Sequence, residues 1–210
     1  MNLHALMFCV YETQVQHVLW RVQNGEVDGI TNAKVAVVLI GTNNIGNVNH
    51  SAWPVAKGVR MLLDELTGRL PTTKILLMAT FPRDPEPGTA FRKEIDDLNE
   101  TLREFCIDHL SFEMMNVSLN MTNCALKLLN RLYQKGTYRD GRRIFYLDIA
   151  THFYRGEKVY GEPTSGMTLT EDIMPDYLHL STAGYHIWAD SMSPILNRLL
   201  AGTNNHELCI

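Results

Sequence analysis

No apolar run in this 210-residue chain is longer than seven residues, ALMFCVY from Ala5 to Tyr11, and the next is VAVVLI from Val35 to Ile40. A bilayer-spanning helix needs ~18. No Lys or Arg precedes Arg21, so the opening MNLHALMFCVY lacks the basic start of a secretory signal peptide. The four cysteines, Cys9, Cys106, Cys124 and Cys209, stand singly, without CxxC or zinc-type Cys/His spacing. Isolated thiols of this kind fit a reducing compartment, and a cytoplasmic location is expected. Positive charge is not in excess: 19 Lys and Arg face 23 Asp and Glu, a net charge of −4. No field is therefore expected to hold nucleic acid or an anionic membrane. There is no Gly-rich phosphate loop, no G-x-S-x-G, no G-D-S, no internal repeat and no low-complexity tract.

What remains is ordinary globular composition, 45% hydrophobic and 20% charged, in the length of one domain. Four N-x-[ST] sequons occur, at Asn49, Asn99, Asn116 and Asn120. Without a signal peptide they do not move the expected compartment.

Strand-like and helix-like segments alternate. Leu3 to Val10 reads as a strand and Gln14 to Gln23 as a short helix stopped by Asn24-Gly25. Lys34 to Ile40 (KVAVVLI) and Lys74 to Ala79 (KILLMA) are nearly continuous apolar runs, the pattern of strands buried on both faces. Pro54 opens a helix to about Leu70, with Val55, Val59, Leu62, Leu63 and Leu66 inward. Phe81 to Gly88 is a Pro-rich loop, and Thr89 caps a helix to about Cys106. Arg143 to Leu147 is a short strand. Thr182 to Leu200 is a last helix, capped by Ser181 and kinked at Pro194. This rhythm predicts an α/β fold with a parallel sheet and helices on both faces, as one domain over 1–210. Residues 107–142, with a helix expected over Met121 to Gln134 and a basic turn after it, break the rhythm and read as an inserted excursion. In such sheets ligands gather beyond the carboxyl ends of the strands.

Two motifs there could carry chemistry. GTNN, Gly41 to Asn44, follows a strand. An Asn amide at that place can donate to a substrate oxyanion, or it can simply bond the local backbone in an Asx turn. Asp176 and His179 precede the last helix. At that spacing a carboxylate can fix the imidazole tautomer and leave the other nitrogen as a general base, or the His can serve structure alone. A nucleophile is not evident. None of Ser51, Ser111, Ser118, Ser165, Ser181, Ser191 and Ser193 follows a buried strand in a tight Gly-flanked turn, and Cys9 reads as a core residue.

GTNN after a buried strand with D-x-x-H before the final helix resembles the SGNH (GDSL-type) hydrolases. The match runs further. LHAL at Leu3 to Leu6, QHVLWRVQNGEV at Gln16 to Val27, VVLIGTNN at Val37 to Asn44 and DYLHLSTAGY at Asp176 to Tyr185 resemble the catalytic alpha subunits of intracellular platelet-activating factor acetylhydrolase. The resemblance implies a flavodoxin-like three-layer sandwich. It implies Asn43 as oxyanion donor, His179 as general base and Asp176 as its orienting carboxylate. It implies hydrolysis of a short acyl ester on a phospholipid such as platelet-activating factor, without metal or organic cofactor. It also implies cytosolic dimers, homo- or heteromeric, that associate with a WD-repeat regulatory protein.

The family's serine lies in a G-D-S turn on a first strand upstream of the segment matching LHAL. That strand is expected to be absent here, leaving an N-terminally incomplete domain with no nucleophile and an inactive chain. Leu3–Val10 and Lys34–Ile40 would then either pair directly or leave a gap. The family's Gly-Gly pair falls on Tyr11 and Glu12, placing a carboxylate where an oxyanion would form. The alternative function is that of a catalytically dead relative kept as a binding or dimer partner.

Overall fold

The computed structural model describes residues 4–86, 88–108, 112–116, 143–155 and 168–201. The expected helix over Met121 to Gln134, the basic turn after it, and Ser111, Ser118, Ser165, Cys124 and Cys209 lie outside these residues.

The described elements run α1 (Val15–Gln23), β1 (Val35–Val38), α2 (Thr42–Gly46), α3 (Ala52–Arg69), β2 (Lys74–Met78), α4 (Ala90–Asp108), β3 (Phe112–Asn116), β4 (Ile144–Asp148), a 3-10 turn (Ala150–Phe153) and α5 (Thr182–Ala201). The four described strands form one parallel sheet in the order β1-β2-β4-β3.

Alternation along β2 and β4 divides the core into two layers, because successive strand residues point to opposite faces. Ile75, Leu77, Ile144 and Tyr146 pack with α1, α3 and α4, among them Val15, Val59, Leu62, Ile95 and Leu98. Leu76, Met78, Phe145 and Leu147 pack on the opposite side with Phe153, Leu169, Met174, Ile195 and Leu199, the last two from α5. This is the α/β three-layer sandwich the segment pattern predicts.

Most helix signals act as their chemistry suggests. The Thr89 hydroxyl accepts the Arg92 N–H at 3.4 Å, and the Ser181 hydroxyl accepts the Gly184 N–H at 3.2 Å, so both cap the helices that follow. Pro194 lies inside α5. Asn99 carries a sequon but is buried, its amide spent on the Thr80 backbone.

Three readings need correction. Of the strand expected over Leu3 to Val10, the described residues 4–10 form none: they are irregular and exposed, with Leu6 at 72% and Met7 at 86%. An apolar run becomes a strand only where a neighbour pairs its backbone, and none does so here. Cys9, expected in the core, is exposed along with this segment. Of the two outcomes expected for the sheet, the segment does not pair with β1, and the outer edge of β1 is open among the described residues. Phe112–Asn116, inside the expected excursion, is a strand that pairs with β4.

Candidate active site

The parallel strands bring their carboxyl ends to one edge, and both motifs stand there. Gly41 turns the chain out of the β1 exit with φ of +125°, where a Cβ would meet Leu98 Cδ2 at 2.9 Å. A side chain is thus excluded by backbone strain and by space. Ile40 C=O accepts the Thr80 hydroxyl at 3.1 Å. Thr80 N–H donates to Asn99 Oδ1 at 2.7 Å, and the Asn99 amide returns a bond to Thr80 C=O at 2.9 Å. Through these bonds the exits of β1 and β2 are fixed to each other and to α4.

The two asparagines of GTNN divide the work. Asn44 is buried; its Oδ1 accepts the Val15 N–H at 2.9 Å and its Nδ2 donates to Gln16 Oε1 at 3.0 Å, which satisfies the start of α1. Asn43 is half-buried in α2 and its Nδ2 donates to Thr13 C=O at 3.1 Å. The amide N–H thus reaches a carbonyl 30 positions away in the chain. One amide proton of Asn43 is engaged, leaving the second for another acceptor. The turn that presents Thr13 includes Glu12 at φ of +55°, a left-handed conformation that favours glycine. The residue at the resembling Gly-Gly position therefore keeps a glycine-like backbone while carrying a carboxylate.

On the other side, His179 Nδ1 lies 2.6 Å from Asp176 Oδ2. Asp176 Oδ1 accepts the backbone N–H groups of Leu178 at 3.1 Å and His179 at 2.7 Å. The His179 side chain and its backbone N–H hold the Asp176 carboxyl down at about 2. The pair is open to solvent, with side-chain exposures of 68% for His179 and 54% for Asp176. A carboxylate on Nδ1 favours the tautomer with a proton there and leaves Nε2 as the acceptor. Asp84 N–H donates to Tyr177 C=O at 3.1 Å, so the loop after β2 ties this segment to the same edge as Asn43.

No described serine hydroxyl bonds the His179 ring. Ser181 Oγ donates to Asp172 C=O and Ser193 Oγ to Ala189 C=O at 2.6 Å. Ser191 Oγ lies 2.7 Å from Nδ1 of a different histidine, His152. Sequence reasoning missed that pair, and with 39 positions between its members no local pattern could reveal it. Asp148 lies near His152, its carboxyl pushed upward by burial. Among the described residues no three His, Cys, Asp or Glu side chains cluster as metal ligands.

A parallel three-layer sandwich with an Asn after one of its strands and an Asp–His pair before its last helix is the architecture of the SGNH hydrolases. The family model for GDSL-like lipase/acylhydrolase matches residues 9–187, and the chain belongs to that family. It is similar to platelet-activating factor acetylhydrolase IB subunit alpha1 of Homo sapiens, 28% identical over 199 residues, covering 95% of this chain and 66% of that protein. Over a shorter span it is similar to the alpha2 subunit of Rattus norvegicus, 37% identical over 101 residues, covering 48% of this chain and 42% of that protein. The chain thus spans about two thirds of the alpha1 relative's length or less. Among solved structures, an acetyl esterase mutant with acetate ion superposes with a TM-score of 0.55 at 14% identity, over 92% of this chain and 70% of that one. A GDSL-like lipase from Bacteroides thetaiotaomicron gives 0.51 at 13% identity, over 89% and 72%. At these identities the solved structures speak for the fold alone.

Proposed function

We propose that these residues hold the base and oxyanion donor of a serine ester hydrolase whose substrate is a short acyl ester of a phospholipid or a related compound. The observation that carries the reading is the 2.6 Å Asp176–His179 pair, set on the sheet edge that also carries Asn43. In the reaction His179 Nε2 would take the proton of an attacking hydroxyl and return it to the leaving alcohol. Asp176 would hold the ring and stabilise the imidazolium. Asn43 would donate its second amide proton to the developing oxyanion.

The 210-residue chain alone would not form an acyl-enzyme, because no described serine faces His179. Water could then be the only attacker, and catalysis would be weak. The test is to express the chain, offer a short-chain nitrophenyl ester and treat it with a serine-reactive fluorophosphonate. The expected result is no stoichiometric label and at most slow hydrolysis that His179→Ala removes. Stoichiometric labelling with His179-dependent turnover would overturn the inactive reading, and mapping the label would show whether Ser191 carries it.

A second reading, a binding subunit without catalysis, is favoured by exposed apolar side chains on the N-terminal segment, α1 and β1. Leu6, Val10, Tyr11, Trp20 and Val37 are 39% to 82% exposed. The curated relatives are named as subunits, which supports assembly with a like or related chain. The two described cysteines, Cys9 and Cys106, are unpaired, in keeping with a cytosolic place of action.

A further inference from the structure

The two halves of the candidate site make no hydrogen bond with each other, yet the same short segment holds both. Arg83 follows the β2 exit, half-buried, and its Nη1 donates to Thr42 C=O at 3.1 Å, one residue before Asn43. Its guanidinium lies over the Phe91 ring at 5.3 Å. It occupies space that any side chain at Gly46 would fill: a Cβ there would stand 1.6 Å from Nη1. The next residue, Asp84, donates its N–H to Tyr177 C=O at 3.1 Å, inside the turn that carries Asp176 and His179. Both ends of that bond lie at positive φ, Asp84 at +76° and Tyr177 at +57°. Such conformations persist where surrounding contacts over-determine them.

Arg92 supplies that constraint from α4. It is 1% exposed, and its Nε and Nη2 donate to Asp84 C=O at 3.1 Å and Pro85 C=O at 2.9 Å, with the guanidinium over the Tyr154 ring at 4.7 Å. A rigid planar fork suits this task better than a flexible ammonium. Burial holds the Arg83 guanidinium below its ordinary pKa, against the opposing pull of the Asp84 and Asp176 carboxylates.

The geometry points to Arg83 and Asp84 as a positioning bridge, pinned by Arg92, that fixes the oxyanion donor Asn43 relative to the Asp176–His179 base. The inference rests on the reading of those three residues as the site. It adds that their mutual placement is set by one segment of the β2 exit and not by α2 or the 176–179 turn alone. A shift of this segment would move donor and base together.

The test reads position and not turnover, so a chain without esterase activity leaves the bridge intact, and an active chain does not establish it. In NMR spectra, the Asn43 side-chain amide reports one side and the Asp176 carboxyl titration the other. Gly46→Ala displaces the Arg83 guanidinium by volume while every bridge residue remains, and Arg83→Met removes the fork. Arg83→Lys keeps the charge and is expected to restore the reporters only in part. With helical circular dichroism unchanged, both Gly46→Ala and Arg83→Met are expected to shift the Asn43 amide signals. Gly46→Ala, which keeps the Arg83 charge, is also expected to raise the Asp176 midpoint from about 2 toward its ordinary 3.8. Should Arg83→Met fail to fold, Gly46→Ala decides alone, since Gly46 sits at ordinary helical φ. If Asn43 moves while Asp176 does not, Arg83 serves α2 only and the bridge is wrong. Two unmoved reporters overturn it as well.

Discussion

Val37 of β1 and Leu76 of β2 are register partners on adjacent parallel strands, yet Val37 is 39% exposed and Leu76 is fully buried. Their sequences, KVAVVLI and KILLMA, carry the same apolar signature. The difference lies in the neighbours. β2 has β1 on one side and β4 on the other, whereas the outer side of β1 has no described partner. A continuous apolar run records fitness for burial on both faces, but burial itself needs a covered face and a paired edge. The same contrast runs through the site: Asn43 hangs from the β1 side, and the β2 exit, held to α4 by Asn99, supplies the segment that fixes it.

The largest test of this contrast is a matched pair of truncations. Leu76→Ala should cost about 3–5 kcal/mol in denaturant unfolding, because it opens a cavity in a closed layer. Its register partner Val37→Ala should cost only about 0.5 kcal/mol, as for an exposed site. Equal losses would mean that the β1 edge is covered in solution, and a concentration-dependent melting temperature would then identify a second copy of the chain as the cover.

Next in size is the lock at the strand exits. Asn99→Ala leaves the Thr80 N–H and C=O without partners and should cost about 1–3 kcal/mol. Thr80→Val removes only the bond to Ile40 C=O on the β1 side and should cost about 0.5–1.5 kcal/mol. A larger loss from Thr80→Val would show that the β1 exit depends on this bond more than the β2 exit depends on Asn99.

The smallest effect is electrostatic. Asp176 is held at about 2 in the folded chain against an ordinary 3.8, so the unfolded chain binds the proton more readily. Its contribution is present above roughly pH 4 and fades as pH falls toward 2. Because the pair is more than half exposed, it should amount to less than about 1 kcal/mol. Asp176→Asn should remove that small contribution at neutral pH and flatten the stability curve slightly between about pH 4 and 2. A large pH-dependent loss would place the pair in a more enclosed setting than the present chain gives it.

Local chemistry made much of this legible in the sequence. The helices over Val15–Gln23, Ala52–Arg69 and Ala90–Asp108 follow from apolar spacing, and the caps at Thr89 and Ser181 from side-chain oxygens placed one position ahead of them. The Asp176–His179 contact was within reach of a three-residue spacing. Other features depend on residues far apart in the chain. Whether Leu3–Val10 becomes a strand depends on a neighbour, and so does the depth of burial of β1. Asn44 became the partner of α1 and Asn43 that of Thr13 only when the strand exit met that helix and turn. Arg83, Asp84 and Arg92 read as loop and helix polar residues until Thr42 and Tyr177 are brought to them.

By itself, then, the sequence determined the alternation of elements, the parallel α/β class and the two motifs, because periodicity, caps and short spacings are properties of neighbouring residues. The tertiary structure alone decided which apolar run is covered, which asparagine bonds α1 and which bonds Thr13, and which segments the β2 exit ties together. Those outcomes rest on hydrogen bonds and packing between segments that meet only when the chain is folded.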